Sequence, residues 1–214
     1  MNGYVITILG NTKSQNAANR CIASAKKFGI NTYQFWATTP LNQPLKQLIE
    51  LGIPTEGFIE KYSRPDNCMA AFLSHYKLWM HCVNSNSTMI IFEHDAVVVD
   101  TLPVTANFDK VMNIGKPSYG KFNMGKHLGP GPLFSKPYFP GAHAYMIKPE
   151  GAKELIEGAK SFAAPTDVFL HVKNFPWLQE YNPWPVEARD SFTTIQKPEG
   201  CLAKHNYNAE YEIV

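Results

Sequence analysis

The chain has 214 residues and a mass of 24.1 kDa, somewhat more than one average domain of about 150 residues, and at this size a folded core needs no disulfide or metal staple. With 44% hydrophobic, 13% aromatic and only 18% charged residues, it is neither a disordered chain nor a coiled coil. Twenty basic against eighteen acidic side chains leave a formal charge of +2, too little for a nucleic-acid partner that must neutralise phosphates.

Residues 4–9 form a continuous apolar run that stops at Gly10-Asn11, the pattern of a buried strand ending in a turn. Residues 14–28 then place Ala17, Ala18, Cys21, Ile22, Ala25 and Phe28 at helical spacing, with Gly29 as the stop, and residues 30–37 read as a second strand. A strand, a helix and a strand within forty residues predict a parallel βαβ unit and so an α/β sheet. A short helix is expected near 44–51. The clearest helix begins after Pro65-Asp66, with Asp66 as its expected N-cap, and runs to about 84. Its apolar members fall within an arc of roughly 140°, and His75 sits in the middle of that arc. Strands are expected at 89–92, 96–99 and 142–147, and a helix at 149–160 opened by Pro149.

Between positions 115 and 141 the chain changes character. Of 27 residues, six are Gly and five Pro, where average usage gives about three in all. The stretch also holds Lys116, Lys121, Lys126, Lys136 and His127, and no acidic residue. It reads as a long ordered loop and as a place for binding. Cys21, Cys68, Cys82 and Cys201 lie far apart with no metal-like spacing, so reduced thiols are expected. No apolar run approaches the ~18 residues of a membrane span. A soluble, cytoplasmic chain without a transmembrane segment is the resulting expectation.

Glu93-His94-Asp95 closes the 89–92 strand. If the backbone stays extended there, alternation turns both carboxylates to one side and His94 to the other. Two carboxylates at the C-terminal edge of an open α/β sheet stand where such folds bind ligands, and they suit Mg²⁺ or Mn²⁺. Ordinary turn residues leaving a strand are the alternative.

Several blocks in order then carry a resemblance. They are Asn19-Arg20, Met69-Ala70-Ala71-Phe72-Leu73-Ser74-His75 with Leu78-Trp79, Ile90-Ile91-Phe92-Glu93-His94-Asp95-Ala96, Gly141-Ala142-His143-Ala144-Tyr145 with Gly151-Ala152, and Pro165-Thr166-Asp167. Together they resemble glycosyltransferase family 25, the lipopolysaccharide-type and collagen-type galactosyltransferases, over nearly the whole chain. The resemblance implies a single α/β domain of the glycosyltransferase A type, Rossmann-like, with a mostly parallel central sheet and long loops. Its nucleotide-binding part would span about 1–100 and its acceptor and loop part about 101–214.

The same resemblance implies a hexosyltransferase with a nucleotide-sugar donor, UDP-galactose first, a glycan or other hydroxyl-bearing acceptor, inversion, and Mn²⁺ or Mg²⁺ as cofactor. The family's acidic block reads Glu-Asp-Asp, and here its middle member is His94, so the metal set would be Glu93, His94 and Asp95 with His205 as a further ligand. Donor binding would fall to Asn11, Arg20, Lys121, Lys126 and His143, the lysines acting as the loop closes over the donor. Asp167 would be the base that deprotonates the acceptor; the alternative for it is an N-cap of the segment that follows. Arg20 has the alternative of an exposed helix-face arginine. His75 reads as a core residue holding the helix against the acidic strand. A non-catalytic module binding a glycan or nucleotide sugar on the same fold is the competing function. A dinucleotide enzyme is disfavoured, because the first turn, Leu9-Gly10-Asn11-Thr12-Lys13, lacks GxGxxG.

Overall fold

The computed structural model describes all residues except 60, 62, 126, 190–191, 198–211 and 214, and the backbone alone at 212–213. The chain opens with β1 (Asn2–Thr7), α1 (Thr12–Lys27) and β2 (Thr32–Trp36), the βαβ unit expected from the sequence. Asn11 is the N-cap of α1, its side chain accepting from the Ser14 N–H, and Lys26 and Lys27 sit in the last turn where the helix dipole favours cations. Gly29, at φ +76°, takes the left-handed turn that ends the helix.

α2 (Pro44–Glu50) and the long α3 (Pro65–Ser85) follow. The N-cap of α3 is Arg64 rather than Asp66. Pro65 fits the first helical position, which puts Asp66 inside the first turn, where a carboxylate favours the dipole without capping. Next come β3 (Met89–Glu93), β4 (Ala96–Val98), β5 (Val111–Asn113), β6 (Gly129–Pro132) and β7 (Ala144–Ile147). The chain continues through α4 (Pro149–Ser161), α5 (Thr166–Phe169), β8 (Gln179–Asn182), β9 (Val186–Ala188), β10 (Phe192–Thr193) and β11 (Glu212–Ile213).

Seven strands form the main sheet in the order β2-β1-β3-β7-β5-β8-β6. β1 is parallel to both β2 and β3, whereas β7 runs antiparallel between β3 and β5. β5 and β8 are parallel again, and β6 is antiparallel at the edge. The α/β class holds, with the parallel character concentrated in the first three strands. β4 with β9 and β10 with β11 make two small two-stranded sheets.

Alternation divides the core between the sheet's two faces. Ile91, Tyr145 and Ile147 point toward α3 and α4, where Phe72, Trp79, Leu155 and Phe169 complete a cluster rich in edge-to-face rings. Ile90, Phe92, Ala144 and Met146 point the other way, onto Ala18, Cys21 and Ala25 of α1 and onto β4. Glu93 is two residues beyond Ile91, so its side chain lies on the α3 face.

Candidate active site

The carboxyl ends of the three parallel strands bound a cavity of about 240 Å³. Ile6 of β1 and Ile8 just after it, Thr38 beyond β2, and Glu93 at the end of β3 line it, with Ser74 and His75 entering from α3. Local hydrogen bonds fix its rim. The Ile8 N–H donates to Ser14 Oγ, the Thr38 N–H donates to Ser74 Oγ, and Lys77 Nζ donates to Thr38 Oγ1 at 2.8 Å. Burial lowers the Lys77 pKa.

Glu93 is the most constrained ionisable group there. His75 Nε2 is 3.1 Å from its Oε1, while His75 Nδ1 is 2.9 Å from the Tyr145 hydroxyl, which accepts from Trp79 Nε1–H at 2.8 Å. Burial holds the His75 imidazole down at about 3, so at neutral pH it is uncharged. Glu93 is shifted the other way, its carboxyl pushed well above the usual range by burial and then by the charges of Asp95 and Asp167. About a third of its side chain, 32%, still reaches the cavity.

The chain does not stay extended after Glu93. It turns at His94-Asp95 before β4 begins, which corrects the expectation that both carboxylates face one point. Glu93 opens onto the cavity, and Asp95 onto a neighbouring cleft that it shares with Lys13, Arg20 and Arg189. Arg20 Nη2 donates to the Arg189 carbonyl at 2.7 Å, so one arm of the expected phosphate clamp holds this part of the backbone. His94 also borders the cavity; it stacks on Phe192 with centroids 5.2 Å apart, and its Nδ1 is 3.2 Å from Ser14 Oγ. Burial lowers its pKa, although Asp95 pulls upward.

These placements bear on the expected metal. Among the described residues no three His, Cys, Asp or Glu side chains are grouped so as to hold an ion. Glu93 Oε1 is held by His75, and Glu93 and Asp95 serve different clefts. The described side chains therefore do not form a resident metal cage, and His205 lies outside the described residues.

The remaining residues are spread out. Asn11 borders the cavity with its side chain engaged as the α1 cap. His143 is 2% exposed, packed against Gly115, and opens onto neither cleft. Burial lowers its pKa, with Asp95, Glu187 and the Val186 carbonyl working the other way. Lys121 is exposed, and Lys126 lies outside the described residues. The Gly- and Pro-rich loop is stitched into the fold rather than hinged beside it. Gly115 bridges Val186, Tyr138 bridges His171, β6 pairs with β8, and the Phe134 and Ser135 N–H groups both donate to Glu180 Oε1. Among its described lysines, Lys116 Nζ lies 3.8 Å from Glu187 Oε1, and Lys136 Nζ donates to the Tyr119 carbonyl and lies 4.6 Å from the Tyr119 ring centroid.

Asp167 does not cap α5, whose N-cap is Pro165. Its Oδ1 accepts from the Val168 N–H, and its Oδ2 accepts from Tyr119 O–H at 2.6 Å. Asp167 lines neither cleft, and its charge is among those that raise the Glu93 pKa. Sequence reasoning gave no role to Tyr119, Tyr138 or Tyr145, although Tyr145 stands in the Gly141-Ala142-His143-Ala144-Tyr145 block, and it counted Lys136 only among the loop lysines. Each meets its partner only through the fold.

A cavity at the carboxyl ends of parallel strands, opening on a constrained carboxylate, stands where open α/β folds place their ligands. Residues 65–124 match the sequence model of Glycosyltransferase family 25 (LPS biosynthesis protein), a segment that carries His75, Trp79, Glu93, His94 and Asp95. The resemblance read from the motifs is borne out over that segment, and the glycosyltransferase class stands on it. Among solved structures, the chain is similar to a Drosophila β-1,4-galactosyltransferase 7 mutant in complex with manganese, UDP-Gal and xylobiose. The identity is 8%, the likeness covers 97% of this chain and 72% of that chain, and the TM-score is 0.46. No curated protein matches the chain. Among the described residues, no helix is long and apolar enough to cross a membrane.

Proposed function

We propose that the protein transfers a hexose, galactose from UDP-galactose first, to a glycan or other hydroxyl-bearing acceptor with inversion at the anomeric carbon. The observation that carries this reading is the cavity at the ends of β1, β2 and β3, formed in part by the segment that matches the family. The donor's nucleoside fits the Thr38 and Ser74 side of that cavity. Its diphosphate would reach toward the first turn of α1 and Arg20, where helix N–H groups and a guanidinium favour anions. Asp167 serves as the base: the acceptor oxygen attacks the anomeric carbon, the bond to the diphosphate oxygen breaks on the opposite face, and the hydroxyl proton passes to Asp167. Tyr119 and the Val168 N–H hold that carboxylate in place.

The described side chains give no step to Mn²⁺ or Mg²⁺, and a chelator arm in the assay reads whether the reaction needs one. Cytoplasmic residence belongs to the same proposal and is supported by the buried free thiols of Cys21 and Cys82. The test is a panel of UDP-sugars and glycan acceptors, with and without EDTA or added Mn²⁺, read by mass spectrometry of the product. A glycosylated acceptor, with loss of turnover in Asp167→Asn, is the expected result. Calorimetric binding of a UDP-sugar without any product would replace this reading with a binding module.

A further inference from the structure

The side chains of Trp79, Tyr145, His75 and Glu93 form an unbroken file that runs from the core to the cavity. His75 and Trp79 are one helical turn apart on α3 and so share a face. Tyr145 pairs with Ile91, and Glu93 follows Ile91 at the two-residue period, so both strand residues point at that same helix face. His75 is 1% exposed, and Trp79 and Tyr145 are fully buried.

One assignment gives every donor in the file an acceptor. An indole N–H only donates, so the Tyr145 oxygen accepts from Trp79 and has its own proton left to give. Given to His75 Nδ1, that proton makes Nδ1 the bare nitrogen. The neutral ring therefore carries its hydrogen on Nε2 and donates it to Glu93 Oε1. Oε2 is engaged by no donor among the described residues, and Glu93 lines the cavity.

We propose that Trp79, Tyr145 and His75 are positioning residues for Glu93: the one-way chain locks His75 in the Nε2–H tautomer, pins Oε1, and presents Oε2 to the cavity's ligand as a fixed acceptor. A hydroxyl or N–H of a polyol or nucleoside is the chemistry that such an oxygen selects. This assignment of a ligand to Oε2 rests on the sugar-transfer reading, whereas the tautomer lock does not.

Two measurements on the full chain test it. Nitrogen-15 NMR of the His75 ring at pH 7.5 is expected to show a protonated Nε2 and a bare Nδ1, with Tyr145→Phe allowing the proton to spread to Nδ1. Protonated Nδ1 in the native protein overturns the proposal. With turnover in hand, His75→Leu is expected to lower kcat about tenfold with donor KM within about twofold, the scale of a lost buried hydrogen bond. His75→Gln, which keeps an N–H near the Nε2 position, is expected to recover most of it. Equal kcat in the Leu and Gln variants, each with native circular dichroism, overturns the positioning role. If His75→Leu does not fold, Tyr145→Phe supplies the kinetic arm, and unchanged kcat there overturns the proposal equally. Absence of sugar transfer by the native protein would defeat the proposed function and leave the tautomer measurement to decide this one.

Discussion

The two halves of the main sheet are built by different rules. From β1 to β3 the strands are parallel, β1 and β3 are short apolar runs, and α1 carries its own cap and stop. From β5 onward antiparallel pairings mix with parallel ones, and β6 is the run Gly-Pro-Gly-Pro, held as a strand only by its pairing with β8. A segment with its own periodicity folds into an element wherever it is placed, whereas one without it takes its shape from what it touches. The cavity's walls come mostly from the first half, with Thr194 and Ile195 added from the second. The candidate base Asp167 and its Tyr119 partner come from the second, 48 residues apart in sequence.

Substitutions in either half can break or sharpen this contrast. The largest effect is expected at the base: Asp167→Asn should lower sugar transfer by about a hundredfold or more, the usual span for a lost general base, with the melting temperature little changed. A small loss would move the catalytic contribution of the second half elsewhere. Phe169 packs its ring against Phe72, Trp79 and Phe175 at 5.1 to 5.6 Å, which ties α5 to the helix of the first half. Truncation to Ala should cost about 3–5 kcal/mol by denaturant unfolding.

The pH dependence comes next and has opposite signs for two neighbours. His75 falls from 6.5 to about 3 on folding, so its contribution is complete above about pH 6.5 and is lost as pH falls toward 3, at about 1.4 kcal/mol per pH unit. Glu93 is raised above 4.5, so it favours the fold at low pH and opposes it as pH rises through its folded value. Glu93→Gln should therefore raise the melting temperature at pH 8 more than at pH 4.5 while lowering turnover. The reverse order in calorimetry would refute the buried-carboxyl assignment. Gly115→Ala should cost about 1–3 kcal/mol, because a Cβ there would lie 2.5 Å from His143 Nε2. The smallest effect is expected at Lys121, which is exposed: its Ala variant should keep activity within about twofold.

Legibility followed the same division. The helices at 14–28, 65–84 and 149–160 and the strands at 4–9, 30–37 and 89–92 are found within a few residues of where their periodicity predicts them. β5, β6 and β8 were not legible, since three or four residues rich in Gly, Pro or polar side chains carry no period. At the site, Glu93 and Asp167 were singled out by strand-end placement and by family resemblance. His75 was read as holding the helix against the acidic strand, but the bonds made by Tyr145 and Tyr119 were not legible, because a hydrogen bond between α3 and β7, or between the Gly- and Pro-rich loop and α5, leaves no trace in local spacing.

The sequence by itself determined the α/β class, the βαβ opening and the carboxylate that ends β3, because each depends on periods and caps that a short segment contains. Only the tertiary structure decided that the chain turns at His94 and sends Glu93 and Asp95 to separate clefts. It alone tied the basic loop into the sheet and drew Trp79, Tyr145 and His75 into one file behind Glu93. Those outcomes depend on where buried donors find acceptors, and burial is a property of the assembled chain.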